Sequence, residues 1–167
     1  MTSDDPRFFQ WILFQKTLFK NHPIKNPIYG YNDSVKKISR EQILNYYKTY
    51  YKPSNIVISV VGNVKDVKDR INEAFNDFNV KGEVKRKRFG DGHNKNVVKK
   101  IEKKEIKHSY VVYGYKTPSR LNKDSYVCDL LRVYLGHGQS SRLFDEIRSK
   151  RGLAYEVSAE HEAGIDY

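Results

Sequence analysis

The chain has 167 residues, 38% of them hydrophobic and 13% aromatic, with a formal net charge of +11; that suffices for one sizeable domain or parts of two and argues against extended disorder outside one stretch. Its single cysteine, Cys128, excludes an internal disulfide and, within Val127-Cys128-Asp129-Leu130-Leu131, reads as a helical residue near the core rather than a nucleophile. No apolar run approaches the roughly 18 residues of a membrane span, and the acidic opening Met1-Thr2-Ser3-Asp4-Asp5-Pro6 is not that of a signal peptide, so a cytoplasmic chain without membrane contact is expected.

Asp5 followed by Pro6 reads as a helix start, a carboxylate cap and then proline at the first helical position. Phe8, Trp11, Ile12, Gln15, Leu18 and Phe19 follow at helical spacing, predicting a buried aromatic-rich face through about Lys20. Asn21-His22-Pro23 ends this helix, and His22 is expected to cap its carbonyls rather than meet a substrate. Ser39-Arg40-Glu41-Gln42 has the capping-box pattern, with Ile38 and Ile43 placed as a hydrophobic staple. Ile43, Leu44, Tyr47 and Tyr50 continue that helix, and Pro53 stops it. Ile56 to Val61 is β-branched except for Ser59, the pattern of a short buried central strand. After Gly62-Asn63, the residues Val64, Val67, Ile71, Ala74, Phe75 and Phe78 outline another amphipathic helix.

Lys81 to Asn96 carries Gly82, Gly90, Gly92 and the run Lys85-Arg86-Lys87-Arg88, with little periodicity. It reads as a solvated basic linker in preference to a nucleic-acid or nuclear-localisation patch. Tyr46, Tyr47, Tyr50 and Tyr51 lie on a helix and lack the alternation of a base-stacking platform on a sheet, so nucleic acid is not the expected partner. Val97 to Ile106 alternates imperfectly, as a half-exposed strand does. Tyr110 to Tyr115 reads as a second strand, and Thr117-Pro118-Ser119 as a turn. Tyr126, Val127, Leu130, Leu131, Tyr134 and Leu135 form a helix stripe.

The least random stretch is Gly136 to Tyr155. Its glycine-punctuated turn ends one helix, and Ser140 and Ser141 open the next by offering hydroxyls to unpaired N–H groups. Leu143, Phe144 and Ile147 make that helix's buried stripe. Arg148, Lys150 and Arg151 sit in the last turn, where cations favour the dipole, and Gly152 is placed to stop it. Helices and strands in this order, without regular β-α-β alternation, predict an α+β fold.

The block S-S-R-L-F-x-E-I-R-x-K-R-G-L-A-Y resembles the second domain of the pitrilysin-like metallopeptidases, the group of insulin-degrading enzyme and mitochondrial processing peptidase. His22-Pro23-Ile24-Lys25-Asn26-Pro27-Ile28-Tyr29-Gly30 is similar to that family's H-P-x-x-x-P-x-x-G loop. Tyr51-Lys52-Pro53-Ser54-Asn55, a strand and Gly62-Asn63-Val64 are similar to its Y-x-P-x-N-x-x-x-x-x-x-G-x-V. The resemblance implies parts of two adjacent α/β sandwich domains, each with helices on one face of an antiparallel or mixed sheet. On that map residues 1–80 are the end of a first domain, 81–96 the basic linker and 97–167 the start of a second, homologous one.

The family holds zinc with H-x-x-E-H and a distal glutamate, the motif's own glutamate acting as base on bound water. The five histidines here, His22, His93, His108, His137 and His161, never stand in that spacing. Zinc therefore belongs to the full-length family and none is expected on this chain. The resemblance assigns Tyr155 to the tetrahedral intermediate and Arg148 to the substrate backbone, and His137, which stands where the family usually has glycine in the adjoining turn, is expected to bind substrate beside them. By position alone Arg148 is a helix-terminal cation and Tyr155 a packed strand residue. The expected function is a fragment or short member of a zinc metallopeptidase that supplies donors to a peptide substrate in a closed chamber and is inactive alone. The alternatives are a non-catalytic subunit partnering a chain that carries H-x-x-E-H, or a basic binding module whose residues 81–107 meet an anionic partner. Self-association through incomplete domains is also expected.

Overall fold

A computed structural model describes residues 5–78 and 80–167. The opening acidic residues 1–4 lie outside the described residues, as does Asn79, within the expected first domain. The chain divides into two compact units, one made of Met1–Ile28 with Arg88–Tyr167 and the other of Tyr29–Lys87.

The first unit begins with helix α1, Pro6–Leu18. Asp5 caps it as its sequence predicts, its carboxylate accepting from the Arg7 N–H at 2.8 Å, with Pro6 supplying a helical φ at no hydrogen-bonding cost. Past its end Pro23–Lys25 forms a single 3-10 turn. His22 opens that turn differently from expectation: its Nδ1 accepts from the Ile24 N–H at 3.2 Å, so it caps a donor and not carbonyls. The His22 ring is buried among Phe19, Phe89 and Tyr167, with centroids 5.2 to 5.8 Å away. Its Nε2 lies 3.3 Å from Asp166, an ion-pair distance without hydrogen-bond alignment.

From Arg88 onward the basic stretch is built into this unit. The Asp91 carboxylate accepts the Lys20 and Asn21 N–H groups at 3.0 and 2.8 Å and the Lys116 ammonium at 2.6 Å. Asn94 donates to the Leu18 carbonyl at the end of α1, and the Phe89 N–H to Asp166 at 2.8 Å. The second long helix of this unit, Asp124–Gly136, is followed by a π-helical segment, Phe144–Ser149.

The second unit holds a short helix α2, Asn32–Lys36, then α3, Arg40–Tyr50, and α4, Val67–Ala74; the helix Asp124–Gly136 is then α5. The capping box at α3 forms in full: the Gln42 N–H donates to Ser39 Oγ at 3.2 Å, and the Ser39 N–H to Gln42 Oε1 at 2.9 Å. Asp66 sits in the left-handed region ahead of α4, with φ 56°.

The expected sheet is the main correction. Among the described residues there is no β-strand, so the α+β sandwich with helices on a sheet is not the architecture here. Ile56–Val61, read as a buried central strand, forms no ladder, and its Val57 and Val61 are 94% and 95% exposed. Val97–Ile106 and Tyr110–Tyr115 likewise pair with no neighbour. β-branched residues favour extended backbone, but a strand is made by neighbours that accept its N–H groups and cover its faces. These segments have no pairing neighbour, and Tyr110–Tyr115 is covered only in part, by Phe14 of α1 against Gly114. Correspondingly, no apolar side chain among the described residues is fully buried, and the buried ones are the polar His22, Ser125 and Ser141. No described helix is long and apolar enough to cross a membrane.

Candidate functional site

The stretch from Gly136 to Tyr155 is shaped by two glycines. At Gly136, the end of α5, any Cβ would overlap the Ala159 backbone nitrogen, so only glycine lets that segment lie against the helix end. His137 is the C-cap, its N–H on the Val133 carbonyl at 3.1 Å. Ser141 is buried, and its hydroxyl donates to the Gly138 carbonyl at 2.8 Å. It closes the turn instead of accepting from the following helix, which has no side-chain cap.

That following segment winds as a π-helix, with the Lys150 N–H on the Asp145 carbonyl five residues back at 2.9 Å. Such windings are rare and concentrate at functional sites. Gly152 ends it as the sequence predicts. With φ +60° it takes the left-handed conformation that non-glycine residues avoid, and its N–H closes on the Arg148 carbonyl at 3.0 Å. The reversal returns the chain across the segment just completed.

Two of the three expected site residues meet there. The Arg148 guanidinium carbon lies 4.6 Å from the Tyr155 ring centroid and 4.7 Å from that of Phe144. Tyr155 is 85% exposed, and Arg148 half-buried. Its aromatic neighbours satisfy the guanidinium faces by cation–π attraction and leave its N–H edge unspent: among the described residues the Arg148 side chain has no ion pair and no hydrogen bond. The carboxylates nearby are held elsewhere. Lys150 Nζ stands 2.8 Å from both Asp145 and Glu146, and Arg151 adds a longer contact to Glu146 at 3.8 Å. The hydrogen bonds that Lys150 donates to Asp145 and then to Glu146 hold its ammonium above its ordinary pKa, and Lys150 in turn draws Glu146 down. His137 is not part of this pair: no hydrogen bond, ion pair or ring contact joins it to Arg148 or Tyr155 among the described residues.

A second cluster escaped the sequence. His161 Nδ1 lies 2.7 Å from Asp129 Oδ1, and its Nε2 3.1 Å from the Thr117 hydroxyl. Arg120 grips the same carboxylate at 2.6 and 3.4 Å. The Arg120 and His161 hydrogen bonds together hold Asp129 at about 2. The order hydroxyl, imidazole, carboxylate is that of an activated nucleophile, but the carboxylate is already neutralised by Arg120, so the cluster reads as a clasp. It ties the segment near His161 to α5 and to the turn after Thr117. Its members stand 9, 32 and 44 residues apart, so no local spacing announces it.

Among the described residues no group of three or more His, Cys, Asp or Glu side chains could hold a metal ion, and both nitrogens of His161 are engaged. A zinc site needs at least three such ligands. In the other unit a hollow of about 280 Å³ is lined by Tyr46, Tyr50, Tyr51, Asn55 and Ile56, a wall without acid, base or thiol.

Residues 37–167 match the family model described as the Peptidase M16 inactive domain. A protein of Mycobacterium leprae named an uncharacterized zinc protease is 33% identical over 162 residues, covering 94% of this chain and 36% of its own length. One of Bacillus subtilis, also named a zinc protease, is 29% identical over 168 residues, covering 99% of this chain and 40% of its own. The chain thus spans well under half the length of these relatives. The crystal structure of a protease from Helicobacter pylori superposes with a TM-score of 0.79 at 24% identity, covering 99% of this chain and 41% of that one. That of a peptidase M16 inactive domain from Pseudomonas fluorescens does so with a TM-score of 0.72 at 20% identity, covering 98% and 40%. With its motif block, its backbone path and its missing H-x-x-E-H in accord, the chain belongs to the pitrilysin-like peptidase M16 family, within that family's inactive domain.

Proposed function

We propose that this chain supplies substrate-side donors to a zinc peptidase of its family and leaves the metal to residues outside it. In this reading the complete enzyme hydrolyses peptides inside a closed chamber, and the zinc motif comes from another segment or a second chain. Arg148 binds the backbone carbonyls of an extended peptide. The Tyr155 hydroxyl donates to the carbonyl oxygen that gains negative charge when the peptide bond is attacked. Alone, the chain cleaves nothing.

The observation that supports this is the arrangement at Arg148. An arginine bound to a carboxylate has little left for a ligand. Here Lys150 takes both neighbouring acids and the rings take the guanidinium faces, so the donors of Arg148 stay available beside an exposed phenol. Donors fixed in advance at a developing oxyanion are worth about 10²–10³ in rate each.

The test mixes this chain with a chain of the same family bearing H-x-x-E-H and follows cleavage of a quenched, unstructured peptide. Tyr155→Phe should lower kcat by about 10²-fold, and Arg148→Gln should lower kcat/KM. Unchanged kinetics in both variants would sink the proposal. So would chelator-sensitive cleavage by this chain alone with one zinc bound per chain.

A further inference from the structure

We infer that Phe144 is the positioning residue for Arg148, which rests on the reading of Arg148 as a peptide-binding donor. Arg148 is long and flexible, and such a side chain loses much rotamer freedom when it binds. No acid and no hydrogen bond fixes it, so something else must hold the guanidinium if it is to meet a peptide in one orientation. Two rings do. Tyr155 is one, at 4.6 Å, but it is 85% exposed and its hydroxyl has its own task. Phe144 is the other, at 4.7 Å, half-buried in the π-helical segment four residues before Arg148. It has no polar atom and cannot touch substrate as a donor, so its contribution is to place Arg148.

The segment's winding supports the same assignment. Residues four apart stack one above the other along a helix, and the Gly152 cap holds the Arg148 backbone through its carbonyl. Backbone and side chain of Arg148 are thus fixed from opposite ends. Phe144 holds the guanidinium against Tyr155 and away from Asp145 and Glu146, which Lys150 already engages.

The test has one arm that needs no catalysis. In the full chain, the Arg148 Nε–H proton should resonate upfield of free arginine because it lies over aromatic rings. Phe144→Leu should move it back toward the free position, while Phe144→Tyr and Phe144→Trp keep it shifted. In the mixture with a zinc-bearing chain, Phe144→Leu should raise KM about fivefold with kcat little changed, the loss of one partly exposed cation–π contact. Phe144→Met serves the same purpose should the leucine variant misfold, as judged by circular dichroism.

An Arg148 resonance that Phe144→Leu and Phe144→Met leave in place refutes the inference. A moved resonance with unchanged KM refutes it as well, since the contact then positions nothing that matters. Should Arg148→Gln itself leave cleavage unaltered, the reading of Arg148 as a peptide-binding donor falls, and the resonance alone decides whether Phe144 orders the guanidinium.

Discussion

Asp91 is the place where one substitution tests how the first unit is held together. Burial pushes its carboxyl up, but the Lys116 ammonium and the Asn21 and Lys20 N–H groups outweigh that and hold it at about 2, below the ordinary 3.8. The two charged side chains are only 4% and 9% exposed. Asp91→Asn keeps the size but only one of the two oxygens that accept the Lys20 and Asn21 N–H groups, and it leaves the Lys116 ammonium with the Gly92 carbonyl alone. Breaking a fully buried pair costs about 3–5 kcal/mol, whereas the carboxyl's fall from 3.8 to about 2 corresponds to about 2 kcal/mol. The pair lies close enough to the surface for solvent to trim the larger figure, so a loss of about 2 kcal/mol at pH 7 is expected. A carboxyl depressed in the folded state stabilises above its unfolded value and loses that contribution as pH falls, here from about 4 through about 2. Urea unfolding followed by Trp11, the only tryptophan, reads both quantities. Coincident midpoints for parent and variant at pH 7 would refute the reasoning. So would an acid slope between pH 4 and 2 that survives undiminished in the variant.

Other outcomes follow from single contacts. Asp129→Asn should speed amide exchange around His161 and Gly164 at neutral pH; in the parent the same loosening should appear only as pH falls from 4 through about 2, where Arg120 and His161 lose their anion. Lys150→Gln frees Asp145, three residues before Arg148 and within helical pairing reach, so peptide affinity should drop and return in the triple variant with Asp145→Asn and Glu146→Gln; isothermal titration that shows no such return contradicts the division of charge argued above. Ser39→Ala removes half of the α3 capping box and should cost about 1 kcal/mol, seen as lost helicity on mild heating. The exposed Tyr126, Leu130 and Tyr134 on α5 should drive self-association, so light scattering at rising concentration should report growing mass, and a dilution-stable monomer would count against it.

What was legible in the sequence was local. The Asp5–Pro6 start, the Ser39–Gln42 box and the Gly152 stop each depend on bonds between residues four or fewer apart, and each forms as its residue types require. Ser141 marks the limit of that rule. A serine before a helix can accept from the N–H groups ahead or donate to a carbonyl behind, and residue type does not choose between them; here the turn at Gly138 wins. The strands fail for a different reason. Ile56–Val61 has every residue-level mark of a buried strand, yet those marks report only what the backbone tolerates. Pairing is a property of two segments, and the periodicity of one says nothing about whether the other is there.

The candidate site lies between these cases. Seven residues would set Arg148 and Tyr155 about 10 Å apart along a continuous helix and on opposite faces of a continuous strand. The two come together only because Gly152 takes a positive φ and reverses the chain. The glycine was readable as a stop, but the contact needed the turn's geometry. The allocation of acids was less readable still. Four charges, Asp145, Glu146, Lys150 and Arg151, crowd around Arg148, and from sequence any of the cations could claim either acid. Lys150 reaches both at 2.8 Å, while Arg148 turns its flat faces to two rings, a partner that suits a planar guanidinium better than a compact ammonium. The difference between two cations of equal charge thus leaves one as the helix's internal counterion and the other with donors to offer a peptide.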